Sequence, residues 1–335
     1  MSDHGNTKMK TLLVGYTAAD LFEKARHGKR RTASWLGGDV TCHCLDVYHR
    51  HAIEKTHHLR AICSPHLPKD DWDLIRFRTG PKLMSGELAL DLLQEIHALA
   101  PDASIWGGRG GATNVEVDFV GRERDRNDLV AKIADDPSRV RNFAATWQAS
   151  VPGGPALQFT SLPGCFCHRR VDAGGLALAE VASQETRAAG GSPRILDMGC
   201  GCGLVGLLVA SVTPGASLVM VDSHSRAVEA AEINAKAQGA DAEIILADNG
   251  TPARMDGTFD VFVGNPPYYS DYRIADVFLE TAKRALKPGG ICYTVCKNAA
   301  GLEPVQRHYF PEVETIMRRG YAVLKSSAPG PADRT

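Results

Sequence analysis

The sequence predicts an α/β protein: a doubly wound, seven-stranded, mostly parallel sheet in the second half, preceded by a second α/β domain. Three observations lead to this prediction. Short apolar strands alternate with helical segments in both halves of the 335-residue chain, as is typical of parallel sheets. Acidic residues recur where strands of the second half end, and a Gly- and Pro-rich stretch (Ser150–Leu157) separates the halves. We expect domains at residues 1–150 and 151–328, and a disordered tail at 329–335.

Composition excludes several classes of protein. With 44% hydrophobic and 23% charged residues, the chain is neither a disordered protein nor a coiled coil. A formal net charge of -1 excludes a strongly basic protein that coats nucleic acid, but it allows an enzyme with a local basic patch. The run KARHGKRR (Lys24–Arg31) is either such a phosphate contact or a solvated helix end. No apolar run approaches the length of a membrane span, so we expect a cytoplasmic protein without a membrane partner.

The second half divides into elements at its apolar runs. Five parallel strands are predicted at RILDM, ASLVMVD, AEIILAD, DVFVG and ICYTVCKN. A glycine-rich turn and an apolar helix follow the first of them. VFLETAKRALKPGG is predicted to be an amphipathic helix closed by a Pro-Gly turn. VETIMRRGYAVLKSSA indicates a final hairpin around Gly320, which would add an antiparallel strand to the sheet.

The first half alternates in the same way. Its strands are predicted at KTLLVGY, VTCHCLD, LRAICSPH, DLIRFRT and ASIWGG, with a helix at GELALDLLQEIHALA. The segment around Asp73 can be laid over the segment around Asp260, with Pro81 near the double proline of the second half. We interpret the first half as a degenerate copy of the second. The alternative is two unrelated α/β domains, because short apolar strands resemble each other by chance.

Nine cysteines include three C-x-C pairs, whose spacing is narrower than structural zinc prefers. The segment Cys42–His66 is rich in Cys and His, so a metal site there is conceivable. No paired zinc-finger or zinc-ribbon spacing appears, however, and we predict reduced thiols and no metal.

The strand ends of the second half carry the residue types of a nucleoside site. Gly199, Gly201 and Gly203 lie in the turn between a strand and a helix, where backbone N–H groups can approach a ligand. The acid before them, Asp197, would repel a pyrophosphate but suit a cationic aminoacyl group. Asp222 ends the next strand, where a carboxylate can accept hydrogen bonds from ribose hydroxyls. Asp248 ends the third strand and can accept from an adenine amino group. Each acid alone could equally be a helix N-cap.

The fourth strand ends in an amide followed by two prolines and two tyrosines, DVFVGNPPYY. Proline cannot continue a strand ladder, so the strand must end near Gly264 and leave Asn265 at the ligand-binding edge of the sheet. The alternative is that these residues form only a stiff turn.

These motifs carry a resemblance. The chain from about Phe159 to Ala328 resembles the class I S-adenosylmethionine-dependent methyltransferases, which have a Rossmann-like fold. The sequence NPPY is similar to the motif of enzymes that methylate a nitrogen on a planar group. The segment Phe159–Glu180 is similar to the PGVFS motif of bacterial ribosomal RNA guanine-N2 methyltransferases, whose N-terminal half is also a degenerate methyltransferase domain. That family has Phe and His after the prolines, where this chain has Tyr268 and Tyr269.

The resemblance implies S-adenosylmethionine as the cofactor and assigns its contacts. The implied cofactor-binding residues are Asp197, Gly199, Cys200, Gly201, Gly203, Asp222, Ser223, Asp248, Asn249 and Asn265. The implied catalytic residues are Asn265, Pro266, Pro267 and Tyr268. The Asn265 amide and the Pro266 carbonyl would accept the two N–H groups of the acceptor amine, and Tyr268 would offer a stacking face worth ~1–3 kcal/mol.

The implied substrate is the exocyclic N2 amine of a guanine in ribosomal RNA or in a small-subunit particle. Two alternatives remain open. NPPY also occurs in protein-glutamine and adenine-N6 methyltransferases, and a non-catalytic RNA-binding assembly factor could keep cofactor binding alone. The sequence leaves the oligomeric state open.

Overall fold

Strands and helices alternate along the chain, which confirms the predicted α/β fold class. The computed structural model describes residues 8–24, 30–101, 113–134, 140–267 and 272–330. The chain divides into two compact units, Met1–Phe143 and Ala144–Thr335.

The first unit is built around a five-stranded parallel sheet. In chain order its elements are β1 (Lys10–Val14), β2 (Phe22–Lys24), β3 (Arg30–Thr32), β4 (Asp39–Cys44), α1 (Val47–His57), β5 (Arg60–Cys63), β6 (Leu74–Thr79), α2 (Gly86–Leu99), β7 (Asn114–Phe119) and α3 (Glu123–Ala134). The sheet order is β5-β4-β1-β6-β7, while β2 and β3 pair as a separate antiparallel ribbon. Four of the five predicted strands are confirmed as β1, β4, β5 and β6. The fifth, ASIWGG, falls on residues outside those described, and β7 was not predicted.

The second unit contains the larger sheet. In chain order its elements are β8 (Ala145–Ala149), β9 (Leu157–Ser161), α4 (Ala173–Ala189), β10 (Arg194–Met198), α5 (Leu204–Ser211), β11 (Ser217–Asp222), α6 (Ser225–Gln238), β12 (Ala242–Leu246), β13 (Phe259–Gly264), α7 (Arg273–Ala285), β14 (Leu286–Cys296), α8 (Ala299–Tyr309), β15 (Glu314–Arg318) and β16 (Tyr321–Ser327). The seven-stranded order is β12-β11-β10-β13-β14-β16-β15. Its first five strands are parallel, and the final hairpin is antiparallel, as predicted.

The predicted linker is a hairpin loop of the second unit. β8 and β9 pair antiparallel on either side of it, and the Trp147 and Phe159 rings stack at 4.9 Å. Val151, inside the predicted linker, is buried in the core. Gly and Pro mark a tight turn whether it joins two strands or two domains, so composition could not tell the two cases apart. Residues 144–150 therefore belong to the second unit, and the unit boundary lies at Phe143 rather than at residue 150.

A second difference concerns the segment LKPGG after α7. The sequence predicts a turn, whereas the structure makes this segment the beginning of β14. Leu286 pairs with Phe259, the register then shifts, and Ile291 pairs with Val261. The proline has no N–H for a regular ladder, so the strand carries an irregularity at this place.

Both faces of the larger sheet are buried. Ile195 and Leu196, successive residues of β10, belong to two separate hydrophobic clusters and are fully buried. Burial of alternate side chains on opposite faces is the arrangement expected of a parallel sheet covered by helices on both sides. The carboxyl ends of the parallel strands meet at one edge, and that edge is where the candidate site lies.

The two sheets share a topology. Counted along the chain, the five parallel strands of each sheet lie in the order third, second, first, fourth, fifth. A hydrogen bond also recurs: Asp73 Oδ2 accepts the N–H of Lys10 at 2.7 Å, and Asp260 Oδ2 accepts the N–H of Arg194 at 2.8 Å. In each unit the acceptor lies at the fourth strand and the donor begins the first strand.

These matched hydrogen bonds fix an equivalence between the two units through the strand registers. The positions of Asp197, Asp222, Asp248 and Asn265 in the second unit correspond to Leu13, Cys44, Pro65 and Arg78 in the first. None of these four residues of the first unit is an acid or an amide. The first unit therefore lacks, at these positions, the acidic and amide side chains that mark the strand ends of the second.

Candidate active site

The glycine-rich turn follows β10 and leads into α5. Gly199, Gly201 and Gly203 all have positive φ, at 67°, 55° and 85°, which only glycine adopts without strain. A Cβ on Gly199 would lie 2.6 Å from the Phe278 ring, whereas one on Gly201 would meet nothing within 4 Å. The turn is held against β11 because the N–H groups of Gly199 and Cys200 both donate to a β11 carbonyl, at 2.8 and 3.1 Å. The backbone at Gly201 therefore faces open space.

Asp222 lies at the end of β11, beside this turn. Its Oδ2 accepts the N–H of Gly201 at 2.8 Å, and its Oδ1 accepts the N–H of His224 at 2.9 Å. The carboxylate is half-buried, so part of it remains accessible. Asp222 thus lies where the prediction placed it and also fixes the conformation of the glycine turn. Ser223, the next predicted contact, is half-buried in the bend that leads into α6.

Asp248 and Asn249 lie just beyond β12, which ends at Leu246 rather than at Asp248 as predicted. Asp248 is half-buried and Asn249 is exposed. The N–H of Ala247 donates to the Asp222 carbonyl at 3.0 Å, so this bend runs beside the end of β11.

Asp197 is placed differently from the other acids. It lies within β10, its side chain is 2% exposed, and its Oδ2 accepts the N–H of Gly206 in the first turn of α5 at 2.8 Å. Burial raises the pKa of Asp197 from its ordinary value of 3.8 to about 7, although the Gly206 hydrogen bond acts in the opposite direction. The carboxyl group links strand to helix beneath the turn, and a contact between Asp197 and a cofactor stays a prediction.

The cysteines of the turn are buried. Desolvation raises the pKa of the Cys202 thiol to about 12 and that of Cys200 well above its ordinary value. Both thiols are therefore protonated near neutral pH and unsuited to act as nucleophiles. None of the nine cysteines, all of which lie among the described residues, forms a disulfide bond. In the described part of the chain, no group of three or more His, Cys, Asp or Glu side chains could hold a metal ion.

Asn265 follows directly on β13, next to the strand that carries the glycine turn. Its Nδ2 donates to Oδ2 of Asp172 at 2.7 Å. Pro266 is buried and Pro267 is half-buried. Tyr268 falls on residues 268–271, which are outside those described. The structure thus brings the glycine turn, Asp222, Asp248 and Asn265 to the same edge of the sheet, since the four strands they follow are parallel neighbours.

Sequence reasoning missed two polar residues at this edge. Asp172 caps α4, and its oxygens accept the N–H groups of Gly174 at 3.3 Å and Gly175 at 2.7 Å. Asn234 on α6 joins β9 to the glycine turn. Its Oδ1 accepts the N–H of Thr160, and its Nδ2 donates to the carbonyls of Thr160 and Cys202. An acid immediately before Ala-Gly-Gly was a visible N-cap signal for Asp172. An asparagine within a helix gives no comparable signal.

The loop that precedes α4 is held by hydrogen bonds and presents an aromatic side chain. The Arg226 side chain, 1% exposed, donates to the Pro163 carbonyl at 3.3 Å, and the N–H of Arg169 donates to Ser161 Oγ at 3.3 Å. Cys167 and Arg169 both have positive φ, which this loop holds in place. Phe166 is nevertheless 70% exposed. An exposed ring on the hydrogen-bonded loop that leads to Asp172 is suited to stacking against a flat ligand.

Two curated relatives are similar to part of the chain. The ribosomal RNA small subunit methyltransferase C of Pseudomonas aeruginosa (strain UCBPP-PA14) is 33% identical over 162 residues, 46% of each chain. The protein of the same name from Marinomonas sp. (strain MWYL1) is 30% identical over 200 residues, 58% of this chain and 56% of that one. The chain thus spans about half the length of the curated relatives it matches.

A solved structure shares the fold over nearly the whole chain. It is a 16S rRNA N2 methyltransferase of T. thermophilus in complex with AdoMet and guanosine, with a TM-score of 0.71 over 95% of this chain and 88% of that one. Its sequence identity is 16%, so the likeness concerns the fold. The family model of the methyltransferase small domain matches residues 156–325, which contain the glycine turn, the strand-end acids and Asn265. On this match, the chain belongs to the methyltransferase small domain family.

Proposed function

We propose that this protein is an S-adenosylmethionine-dependent N-methyltransferase acting on the exocyclic N2 amine of a guanine in ribosomal RNA. The observation that carries the proposal is the position of Asn265. Its side chain lies at the end of β13, beside the glycine turn of β10, and its Nδ2 is bonded to Asp172. The amide oxygen is thereby left to accept a hydrogen bond from an amine.

The cofactor assignment is supported by the residues around the turn. The open space at Gly201 leaves room for a ligand close to the backbone, and Asp222 offers a half-buried carboxylate beside it for ribose hydroxyls. Asp248 lies past the next strand, where it could accept from an adenine amino group. When bound, S-adenosylmethionine supplies the methyl group as an electrophile.

The proposed chemistry needs orientation more than a strong base. The lone pair of an exocyclic amine is delocalised into its ring, so the amine is a poor nucleophile. Asn265 Oδ1 and the Pro266 carbonyl would accept its two N–H groups and favour positive charge developing on the nitrogen. The prolines restrict the backbone that carries this carbonyl, which limits reorganisation during the reaction. Correct alignment of the reacting atoms can then supply several kcal/mol.

The choice of RNA is supported by the relatives named above, which are ribosomal RNA methyltransferases. On this proposal the partner is ribosomal RNA or a small-subunit particle, and the protein acts in the cytoplasm. No helix among the described residues is both long and apolar enough to cross a lipid bilayer.

We propose further that the first unit is a degenerate copy of the second that helps to bind or position the RNA. The shared strand order and the matched aspartate hydrogen bonds support a common origin. The replacement of Asn265 by Arg78 at the equivalent strand end supports the loss of its site, because Arg78 forms ion pairs with Asp20 and Asp118 instead.

Methyl-labelled S-adenosylmethionine offered to separated ribosomal RNA and ribosomal protein fractions tests the proposal. We expect the label in the small-subunit RNA, and N2-methylguanosine after nuclease digestion. Asn265→Ala serves as the inactive control. Label in N6-methyladenosine would show that the acceptor is an adenine instead, and label in protein glutamine would show that it is a protein side chain. Cofactor binding without transfer to any fraction would favour the non-catalytic assembly factor.

A further inference from the structure

Asp172 joins two parts of the second unit that are far apart in sequence. It precedes α4, and its Oδ2 accepts the N–H of Gly175 at 2.7 Å. The same oxygen accepts Nδ2 of Asn265, also at 2.7 Å. A helix cap needs only the first of these hydrogen bonds, so the second calls for a separate explanation.

The chemistry of the two side chains gives that explanation. An asparagine amide has a donor end and an acceptor end, and a half-turn about its last side-chain bond exchanges them. A carboxylate can only accept, so Asp172 holds the nitrogen end of Asn265 and directs the oxygen end away. In the opposite orientation Asn265 would present N–H groups to the N–H groups of an incoming amine.

We propose that Asp172 is a positioning residue that fixes the amide orientation of Asn265 for the methyl acceptor. This inference rests on the proposed function of Asn265. The negative charge of Asp172, which accepts a hydrogen bond from Asn265 Nδ2, also polarises the amide and strengthens Asn265 Oδ1 as an acceptor.

The helix that carries Asp172 is held in place, which suits a positioning role. Asp172 is fixed to the start of α4, a helix of 17 residues with most of one side buried. Glu180, near the middle of α4, is 5% exposed and accepts hydrogen bonds from Arg318 and Arg319 in the β15–β16 hairpin, at 2.5 and 2.9 Å. The helix is therefore held against the β15–β16 side of the sheet, and the Asp172 carboxylate at its start is held with it.

Three substitutions of Asp172 separate positioning from capping. Serine is a good N-cap but is too short to reach Asn265, so Asp172→Ser should keep the helix and lose the orientation. Asn can place its oxygen at the Oδ2 position and accept from both Gly175 and Asn265, and it gives up only the longer hydrogen bond from Gly174, so Asp172→Asn should keep the helix and the orientation. Asp172→Ala loses both. Asn298→Ala removes the N-cap of α8, whose side chain accepts the N–H of Ala300 at 3.1 Å, and serves as a control for cap loss alone.

The kinetic expectation is a change in kcat at constant cofactor affinity. With ribosomal RNA as the acceptor, Asp172→Ser should lower kcat about tenfold to a hundredfold, by analogy with other supporting residues, and leave the Kd for S-adenosylmethionine unchanged. Asp172→Asn should stay within a few-fold of the natural enzyme. Asn298→Ala should lower the melting temperature and leave kcat unchanged. Natural kcat in Asp172→Ser would overturn the inference.

A second measurement does not depend on any substrate. In ¹⁵N NMR spectra, the Asn265 side-chain amide resonances can be identified from their loss in Asn265→Ala. We expect one of the two amide protons to exchange slowly with solvent, to lose this protection in Asp172→Ser, and to keep it in Asp172→Asn. Asn265 resonances unaffected by Asp172→Ser would overturn the inference, whatever the kinetics. If protection follows the expectation but no fraction accepts methyl groups, the positioning stands and the proposed function fails.

Discussion

Asn265 is the residue on which the proposed chemistry depends most. Asn265→Ala should reduce kcat by on the order of 10²–10³, by analogy with the removal of one preorganised partner from an oxyanion hole. Cofactor affinity should change little, because we propose that the amide acts mainly on the acceptor amine, and the other implied cofactor contacts stay in place. Single-turnover methylation and calorimetry measure the two effects separately. Natural turnover in Asn265→Ala would show that the Asn-Pro-Pro segment is only a stiff turn. Another group would then have to accept the hydrogen bonds of the amine.

Asp197 predicts a pH dependence of stability. Its pKa is raised to about 7 in the folded protein from an ordinary value of 3.8, so folding favours the protonated acid. The resulting stabilisation is full below the unfolded pKa and is lost as the pH rises through the folded value. By the conversion of 1.36 kcal/mol per pKa unit, the loss between pH 4 and pH 8 is on the order of 4 kcal/mol.

Asp197→Asn should remove this dependence while its side-chain oxygen still accepts the N–H of Gly206. We expect the melting temperature of Asp197→Asn, relative to the natural protein, to be higher at pH 8 than at pH 5. Thermal unfolding at the two pH values measures the difference. Parallel pH profiles for the two proteins would show that Asp197 is ionised at little cost.

At this scale the sequence predicted which residues mark the edge but not what each of them touches. Asp222 and Asn265 were identifiable because strand ends of a parallel sheet converge at one edge. Asp197 lies one residue before the end of the same kind of strand, and this offset directs its side chain under α5. The contact between Asp172 and Asn265 joins residues 93 positions apart and has no local sequence pattern.

Among the elements, the glycine turn combines backbone conformations that would strain any other residue with close packing at some positions. At Gly203, with φ of 85°, a Cβ would lie 3.0 Å from both Leu207 and the Met220 sulfur. Gly201 has φ of 55° and open space around a Cβ. Both alanine variants incur backbone strain of about 1–2 kcal/mol, but only Gly203→Ala also displaces core side chains.

We therefore expect Gly203→Ala to lower the melting temperature clearly more than Gly201→Ala. Gly201→Ala should instead weaken S-adenosylmethionine binding, because the new methyl group enters the space beside Asp222. Differential scanning fluorimetry with and without cofactor compares the two effects. Equal stability losses with unchanged binding in both variants would remove Gly201 from the proposed cofactor site.

Element positions were predictable where local pattern decides them, as for β10, β11 and β13. They were not predictable where pairing decides them. β8 was missed because ATWQA is only five residues long, too short for its alternation of apolar and polar residues to stand out. Its pairing with β9 is what makes it a strand. The beginning of β14 was missed for a similar reason, since KPGG favours a turn unless a neighbouring strand holds it extended.

On the scale of the whole molecule, cofactor binding should belong to the second unit alone. A fragment of residues 144–335 should bind S-adenosylmethionine with nearly the affinity of the full chain, and residues 1–143 should not bind it. A fragment beginning at residue 151 should be less stable, because it lacks β8 and the Trp147 ring that stacks on Phe159. Calorimetry and thermal unfolding of the three fragments test these expectations. Binding by residues 1–143 would show that the replacements at their strand ends did not remove the site.

The strand order of the larger sheet bears on biosynthesis. β16 lies between β14 and β15 in the sheet, although the ribosome synthesises it after both of them. Until β16 emerges, β14 has one unpaired edge, and most of its side chains belong to the buried interior. A nascent chain that pauses or terminates before β16 therefore carries an open, apolar template for aggregation. Premature termination between the end of β14 and the start of β16 should yield insoluble polypeptide that is cleared by proteolysis, rather than a slightly shortened enzyme.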